Sequence, residues 1–138
     1  MLSAQTPARV WNTRRTEKQR RMASVPVQGK VLPTGDLVAM LEKLIAPGDR
    51  VVLEGNNQKQ ADFLSRMLAE VNPQKVHDLH MIMPSVGRSE HLDIFEKGIA
   101  RKLDFSFSGT QSLRISQLLE DGLLEIGAIH TYITLLPP

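Results

Sequence analysis

The residues best suited to chemistry lie in one stretch, Val51-Val52-Leu53-Glu54-Gly55-Asn56-Asn57-Gln58-Lys59-Gln60. A short apolar run ends, a glycine turns the chain, and neutral amides with one lysine follow. In an open α/β sheet, ligands bind outside the carboxyl ends of the strands. If a helix starts near Gln58, its free N–H groups and positive dipole end point into that region. Gly55 lets a substrate approach the backbone closely. Asn56, Asn57 and Gln58 add amide donors, and Lys59 adds a charge. Such an array suits a thioester carbonyl, which becomes an oxyanion when attacked. The same residues also suit an ordinary turn with asparagine caps. The stretch lacks the Gly-Lys-Ser/Thr ending of a Walker loop and the Gly-x-Gly-x-x-Gly dinucleotide fingerprint.

Ser108 and Gly109 are expected at another strand's carboxyl end, opening a helix on the same edge as Asn56. Ser106, Ser108, Asp104 and His130 have the residue types of a hydrolase triad. Neither serine sits in a Gly-x-Ser-x-Gly elbow, so they read as polar loop groups. Glu54 could serve as a general base, although a strand-end carboxylate paired with a neighbouring lysine is the plainer reading. His77 and His80 would face opposite sides of a strand, which argues against a shared metal. No metal site is expected.

These residues need a scaffold, and the hydrophobic pattern supplies one. Residues 12–22 read as a polar helix, and Pro26, Gly29 and Pro33 then break the pattern. Residues 35–46 read as an amphipathic helix with Leu37, Val38, Leu41, Leu44 and Ile45 on one face. Pro47-Gly48-Asp49 closes it, and Val51–Leu53 follows as a strand buried on both faces. A helix is expected from Gln58 to Glu70, with Ala61, Leu64, Met67, Leu68 and Val71 inward. Next come a strand at Leu79–Met83, a helix at Ser89–Gly98, a strand at Leu103–Ser108, a helix at Thr110–Asp121 and a strand at Leu124–Ile129. Leu103, Phe105 and Phe107 alternate with Asp104, Ser106 and Ser108. Met22, Met40, Met67, Met81 and Met83 read as core filler. This alternation implies an α/β fold with a mainly parallel sheet of about four strands and flanking helices. Residues 1–33 form a basic arm and linker, and residues 34–138 a partial α/β domain. After Tyr132 nothing remains to cover the last strand, so the domain reads as cut short.

Charge is distributed unevenly. Residues 1–30 carry seven basic groups against Glu17, while the remainder carries ten against fourteen acids, so a +6 arm precedes a −4 body. Arg14, Arg15, Arg20 and Arg21 could meet an acidic partner. One aromatic, Trp11, and no nucleic-acid motif argue against nucleic acid. The 138 residues include no cysteine, which excludes disulfides, thiolate zinc sites and a thiol nucleophile. No run approaches the roughly 18 apolar residues of a membrane span, and the start lacks a secretory signal's apolar stretch. The cytoplasm is the expected location.

Four stretches carry a resemblance: Trp11–Arg15, Leu53–Leu64 (LEGNNQKQADFL), Gly98–Gly109 (GIARKLDFSFSG) and Ile126–Tyr132 (IGAIHTY). Together they resemble the alpha subunits of malonate decarboxylases, along most of the chain, and more distantly citrate lyase alpha subunits and coenzyme A transferases. The resemblance implies a coenzyme A transferase-like fold and an acyl-carrier-protein transferase. Acetyl-carrier protein and malonate would give malonyl-carrier protein and acetate, and other subunits would decarboxylate the product. The cofactor would be the carrier's phosphoribosyl-dephospho-coenzyme A arm. Gly55, Asn56, Asn57, Gln58, Ser108 and Gly109 would line the thioester or arm site, and the four arginines would dock the carrier. The catalytic residue is unassigned: the glutamate that forms the acyl anhydride in coenzyme A transferases lies in a later part of those proteins. The resemblance stops at Tyr132. The alternatives are an inactive truncated module that binds carrier protein or coenzyme A, and a nucleotide- or coenzyme A-binding protein of another pathway. The chain alone is expected to be inactive, marginally stable and prone to self-association.

Overall fold

A computed structural model describes residues 7–25, 27, 29, 31–56 and 59–129. Helix α1 spans Pro7–Ala23 and α2 Leu37–Leu44, preceded by a 3-10 turn at Thr34–Asp36. Strand β1 (Arg50–Val52) is followed by two-residue strands β2 (Gly55–Asn56) and β3 (Lys59–Gln60), then α3 (Asp62–Leu68). Strand β4 covers Leu79–Ser85 and α4 Asp93–Glu96, with a 3-10 turn at Ser89–His91 between them. Strand β5 (Ala100–Phe107), a 3-10 turn at Gly109–Gln111, α5 (Ser112–Glu120) and β6 (Glu125–Ile129) complete the order.

The main sheet has the order β1-β4-β5-β6, with every pairing parallel. The expected four-strand parallel α/β unit is therefore present. Because the strands follow one another in a single direction, right-handed crossovers put the connecting helices on the same face. Burial agrees. Leu79, Met81, Met83 and Leu103 are wholly buried, and Phe105 nearly so, while His80, Ile82, Asp104 and Ser106 on the other face are half-buried. The buried face joins Leu68 of α3, Ile94 and Phe95 of α4, and Ile115 and Leu118 of α5 in one core. Filling such a side chain's site stabilises by about 1.5–3 kcal/mol each.

Helix ends follow local chemistry. Gly98 and Gly122 adopt φ of +71° and +69° just past α4 and α5, the left-handed conformation that glycine takes without penalty. Four expectations need correction. Val51–Leu53, expected as a strand buried on both faces, contributes Val51 and Val52 to the edge strand β1, whose single neighbour in the described sheet is β4, and Val52 is 55% exposed. The helix drawn from Gln58 begins only at Asp62, because residues 55–56 and 59–60 pair as the antiparallel strands of a hairpin, Gly55 with Gln60 and Asn56 with Lys59. Leu64, assigned to that helix's inner side, is 44% exposed; α3 turns Ser65 and Leu68, three apart on one face, to the core instead. Met22 is 64% exposed rather than core, because α1 lies on the surface and touches the body through α2.

Helix α1 is polar almost all round, and such a helix has little apolar surface to bury. Its anchor is ionic. Arg21 donates to Asp49 at 2.8 Å, and Lys18 lies 3.6 Å from the same carboxylate. Asp49 also accepts from the Ala46 N–H at 3.0 Å. Burial pushes the Asp49 pKa up, but the Arg21 and Ala46 hydrogen bonds and the Lys18 and Arg21 charges outweigh it, leaving the group below its ordinary 3.8. Among the described residues, no helix is long and apolar enough to cross a membrane.

Candidate functional site

The carboxyl edge of the sheet gathers the ends of β1, β4 and β5. Beyond β1, the chain crosses to the end of β4: the Leu53 N–H donates to Ile82 O at 3.0 Å. The hairpin is then closed at its base by Ala61 N–H donating to Glu54 O at 3.2 Å. Gly55 is buried here. A Cβ at this position would collide with the Ser85 carbonyl oxygen and come within 3.2 Å of His91 Cε1. Glycine is required, but the atoms filling the space on its Cβ side belong to the protein rather than to a substrate.

Ser85 at the end of β4 is in register with Phe107 at the end of β5, and Ser108 and Gly109 follow directly. The fold thus places Gly55 and Ser108-Gly109 on one sheet edge, on either side of the β4 end. Ser108 Oγ is 2.8 Å from Ser112 Oγ, whose hydroxyl also donates to Gly109 O at 2.8 Å. Gly109 takes φ +51° to make this turn. Asn56 is held by its backbone pairing with Lys59. Asn57 and Gln58 lie outside the described residues. Helix α3 has seven residues, and Asp62 already sits in its first turn, so its N-terminus does not supply the donors anticipated near Gln58. Any donors there must come from the hairpin itself.

Glu54 Oε1 is buried without a hydrogen-bond partner among the described residues. Ser106 donates to the Pro84 carbonyl, and His130 lies outside the described residues, so no triad is assembled among the described residues. His77 precedes β4 and pairs with Asp78 at 2.8 Å on the surface. His80 Nε2 lies 2.9 Å from Asp104 Oδ2, within ion-pair reach, but without hydrogen-bond alignment. That pair follows from alternation: both residues fall on the half-buried face of neighbouring strands. No cluster of three metal-binding groups occurs among the described residues.

One residue at this edge was missed. His91, in the turn before α4, is wholly buried, and neither ring nitrogen has a hydrogen-bond partner among the described residues. Its ring lies against Gly55. The signal was faint: a histidine in Ser89-Glu90-His91-Leu92 reads as a polar position on a helix. Two surface concavities lie elsewhere. One, of about 460 Å³, is lined by Glu96, Arg114, Gln117 and the end of α5. The other, of about 530 Å³, follows Asn12, Thr13, Thr16, Glu17 and Arg20 along α1. On α1, Arg14, Arg15 and Arg20 are exposed, whereas Arg21 is committed to Asp49.

Fold and edge define an open parallel α/β unit whose loops gather at the carboxyl ends of its strands. Residues 10–137 match the family described as malonate decarboxylase, alpha subunit, transporter, so the match runs past Tyr132, where the resemblance was expected to stop. The chain belongs to that family. It is 45% identical over 130 residues to an acetyl-S-ACP:malonate ACP transferase of Malonomonas rubra, covering 92% of this chain and 24% of that protein. Among solved structures, it is similar to a malonate decarboxylase alpha subunit from Acinetobacter baumannii, with 73% identity and a TM-score of 0.84 over 91% of this chain. It is also similar to a chain of a Pseudomonas malonate decarboxylase hetero-tetramer in complex with malonate, with 75% identity and a TM-score of 0.85 over 95% of this chain. Each match covers 24% of the other protein, so the chain spans about a quarter of its relatives' length.

Proposed function

We propose that the chain forms part of the site at which an alpha subunit exchanges acetate for malonate on an acyl-carrier-protein thioester. The observation that carries the reading is family membership along residues 10–137 combined with a glycine-pinned hairpin at the carboxyl edge of a parallel sheet. That is where ligands bind in such folds. The carrier's phosphoribosyl-dephospho-coenzyme A arm would reach this edge, with Gly55, Asn56, Asn57, Gln58, Ser108 and Gly109 along its path. The exposed Arg14, Arg15 and Arg20 of α1 are suited to an acidic carrier surface, and Arg21 and Lys18 hold that helix in place. Other malonate decarboxylase subunits would be the remaining partners, malonate and acetate the exchanged acids, and the cytoplasm the proposed location.

The chemical step is an acyl exchange. The malonate carboxylate attacks the acetyl thioester carbonyl, negative charge develops on the carbonyl oxygen, and its collapse expels the carrier thiolate and leaves an acetyl–malonyl anhydride; the thiolate then attacks the malonyl carbonyl and acetate departs. Amide donors on the hairpin would meet that charge. In the whole subunit, Asn57→Ala then lowers turnover about 10²–10³-fold with little change in KM, the usual cost of losing one such donor. Unchanged turnover would reduce Asn57 to a turn residue. A second reading is favoured by one observation, the coverage of a quarter of each relative: this chain binds carrier protein or coenzyme A without catalysing exchange. Titration with holo-carrier protein tests docking. Saturable binding weakened several-fold by joint replacement of Arg14, Arg15 and Arg20 with alanine is expected, and unaltered binding would remove α1 from the interface.

A further inference from the structure

We propose that His91 is a positioning residue for the candidate site: its buried imidazole is the platform on which the Gly55 hairpin rests, and protonating it releases the hairpin. The geometry carries this. His91 has no exposed surface. Its Cε1 is 3.2 Å from where a Gly55 Cβ would lie, while the Ser85 carbonyl closes the same space from β4. Ring and carbonyl together leave the β2 backbone one place to sit. Neither ring nitrogen has a partner among the described residues. A neutral imidazole tolerates this at moderate cost, but an imidazolium needs both N–H groups solvated or bonded.

The surrounding charges do not rescue the cation. Within its own turn, Arg88 opposes a proton on His91 and Glu90 favours it. Asp62 of α3, which packs on this turn, also favours it. Both acids are shared with Arg66, at 3.1 Å from Asp62 and 3.5 Å from Glu90. Asp93 of α4 is taken by Arg114 at 2.8 Å. Glu54, which precedes Gly55 in the chain, has a buried Oε1 without a hydrogen-bond partner among the described residues. Burial is the largest influence, and it holds His91 below its ordinary 6.5 despite the two acids. The imidazole therefore binds a proton more readily when the hairpin is displaced than when it is seated. As pH falls below about 6.5, opening becomes easier by up to tenfold per pH unit until the seated form itself titrates.

The inference rests on the thioester-site reading only for its effect on turnover. Its test uses the whole alpha subunit without carrier protein, so the two can fail separately. Amide exchange is followed from pH 7.5 to 5 at Ala61, which closes the hairpin base, and at Leu79, which donates to Ile99 O at 3.1 Å in the central sheet. The expected result is a protection factor at Ala61 that falls up to tenfold per pH unit below about 6.5. Leu79 keeps its protection, and His91→Gln abolishes the slope at Ala61. A slope shared by Leu79, retained in His91→Gln, or absent altogether would overturn the proposal. If His91→Gln fails to fold, the unaltered whole subunit is followed by NMR. The His91 ring and the Gly55 and Ala61 amides should then titrate with one midpoint below 6.5. A silent Gly55 amide while His91 titrates would contradict the role.

Discussion

At the scale of single residues, Gly55 is the most constrained position of the candidate site. Its φ is not left-handed; the constraint is the close approach of the Ser85 carbonyl and the His91 ring. A carbonyl oxygen of the central strand cannot move aside as a flexible side chain could. Gly55→Ala is expected to destabilise the chain by about 1–3 kcal/mol, the usual cost of overpacking, or to displace the hairpin. Urea unfolding of the two chains checks this, and equal midpoints would mean that β2 moves freely. The need for a glycine here was legible in the sequence, but the reason was not. A strand followed by glycine suggests space for a ligand, whereas the tertiary fold fills that space with its own atoms. His91 was illegible for a related reason: nothing local distinguishes a histidine that will be buried from one that will face water.

At the scale of elements, the period-two pattern of Leu103–Ser108 and the apolar runs at Val51 and Leu79–Met83 made the strands readable, because alternation and β-branching are local. The hairpin at residues 55–60 was not readable. It contains no apolar alternation, and the two residues between Asn56 and Lys59 include none of the glycines that usually mark tight hairpins. Polar residues ahead of an amphipathic run look the same whether they turn or cap. The seat of α1 also depends on tertiary contacts, among them Arg21 and Lys18 on Asp49. Since Asp49 is depressed below 3.8 in the fold, the contact's contribution is complete above the unfolded value and is lost as pH falls through the folded one. Arg21→Ala should remove about 1 kcal/mol and raise amide exchange along Pro7–Ala23. Exchange unchanged from the parent chain would show that α1 is held by other contacts.

At the scale of the whole molecule, the sheet's edge is its weak point. Among the described residues, β6 pairs with β5 alone, and Ile126 and Ile129 on it are 39% and 66% exposed. An edge strand with apolar side chains is a template for pairing with another copy. If about 200 Å² of apolar surface stays in water, roughly 5 kcal/mol of burial is forgone, comparable with the 5–15 kcal/mol stability of a small domain. The isolated chain is expected to self-associate at micromolar concentration, and Ile129→Lys to shift it toward monomer in light scattering. A parent chain that stays monomeric with a cooperative melt well above ambient temperature would refute this.

The central claim, that this chain contributes to acyl exchange on a carrier protein, meets its most direct test in a transfer assay. The chain, alone and combined with the rest of a malonate decarboxylase alpha subunit, is incubated with acetyl-carrier protein and labelled malonate. The expected result is saturable carrier binding by the chain alone, with label appearing on the carrier thioester only in the combined sample. A chain that neither binds carrier protein nor restores label transfer in combination would contradict the account.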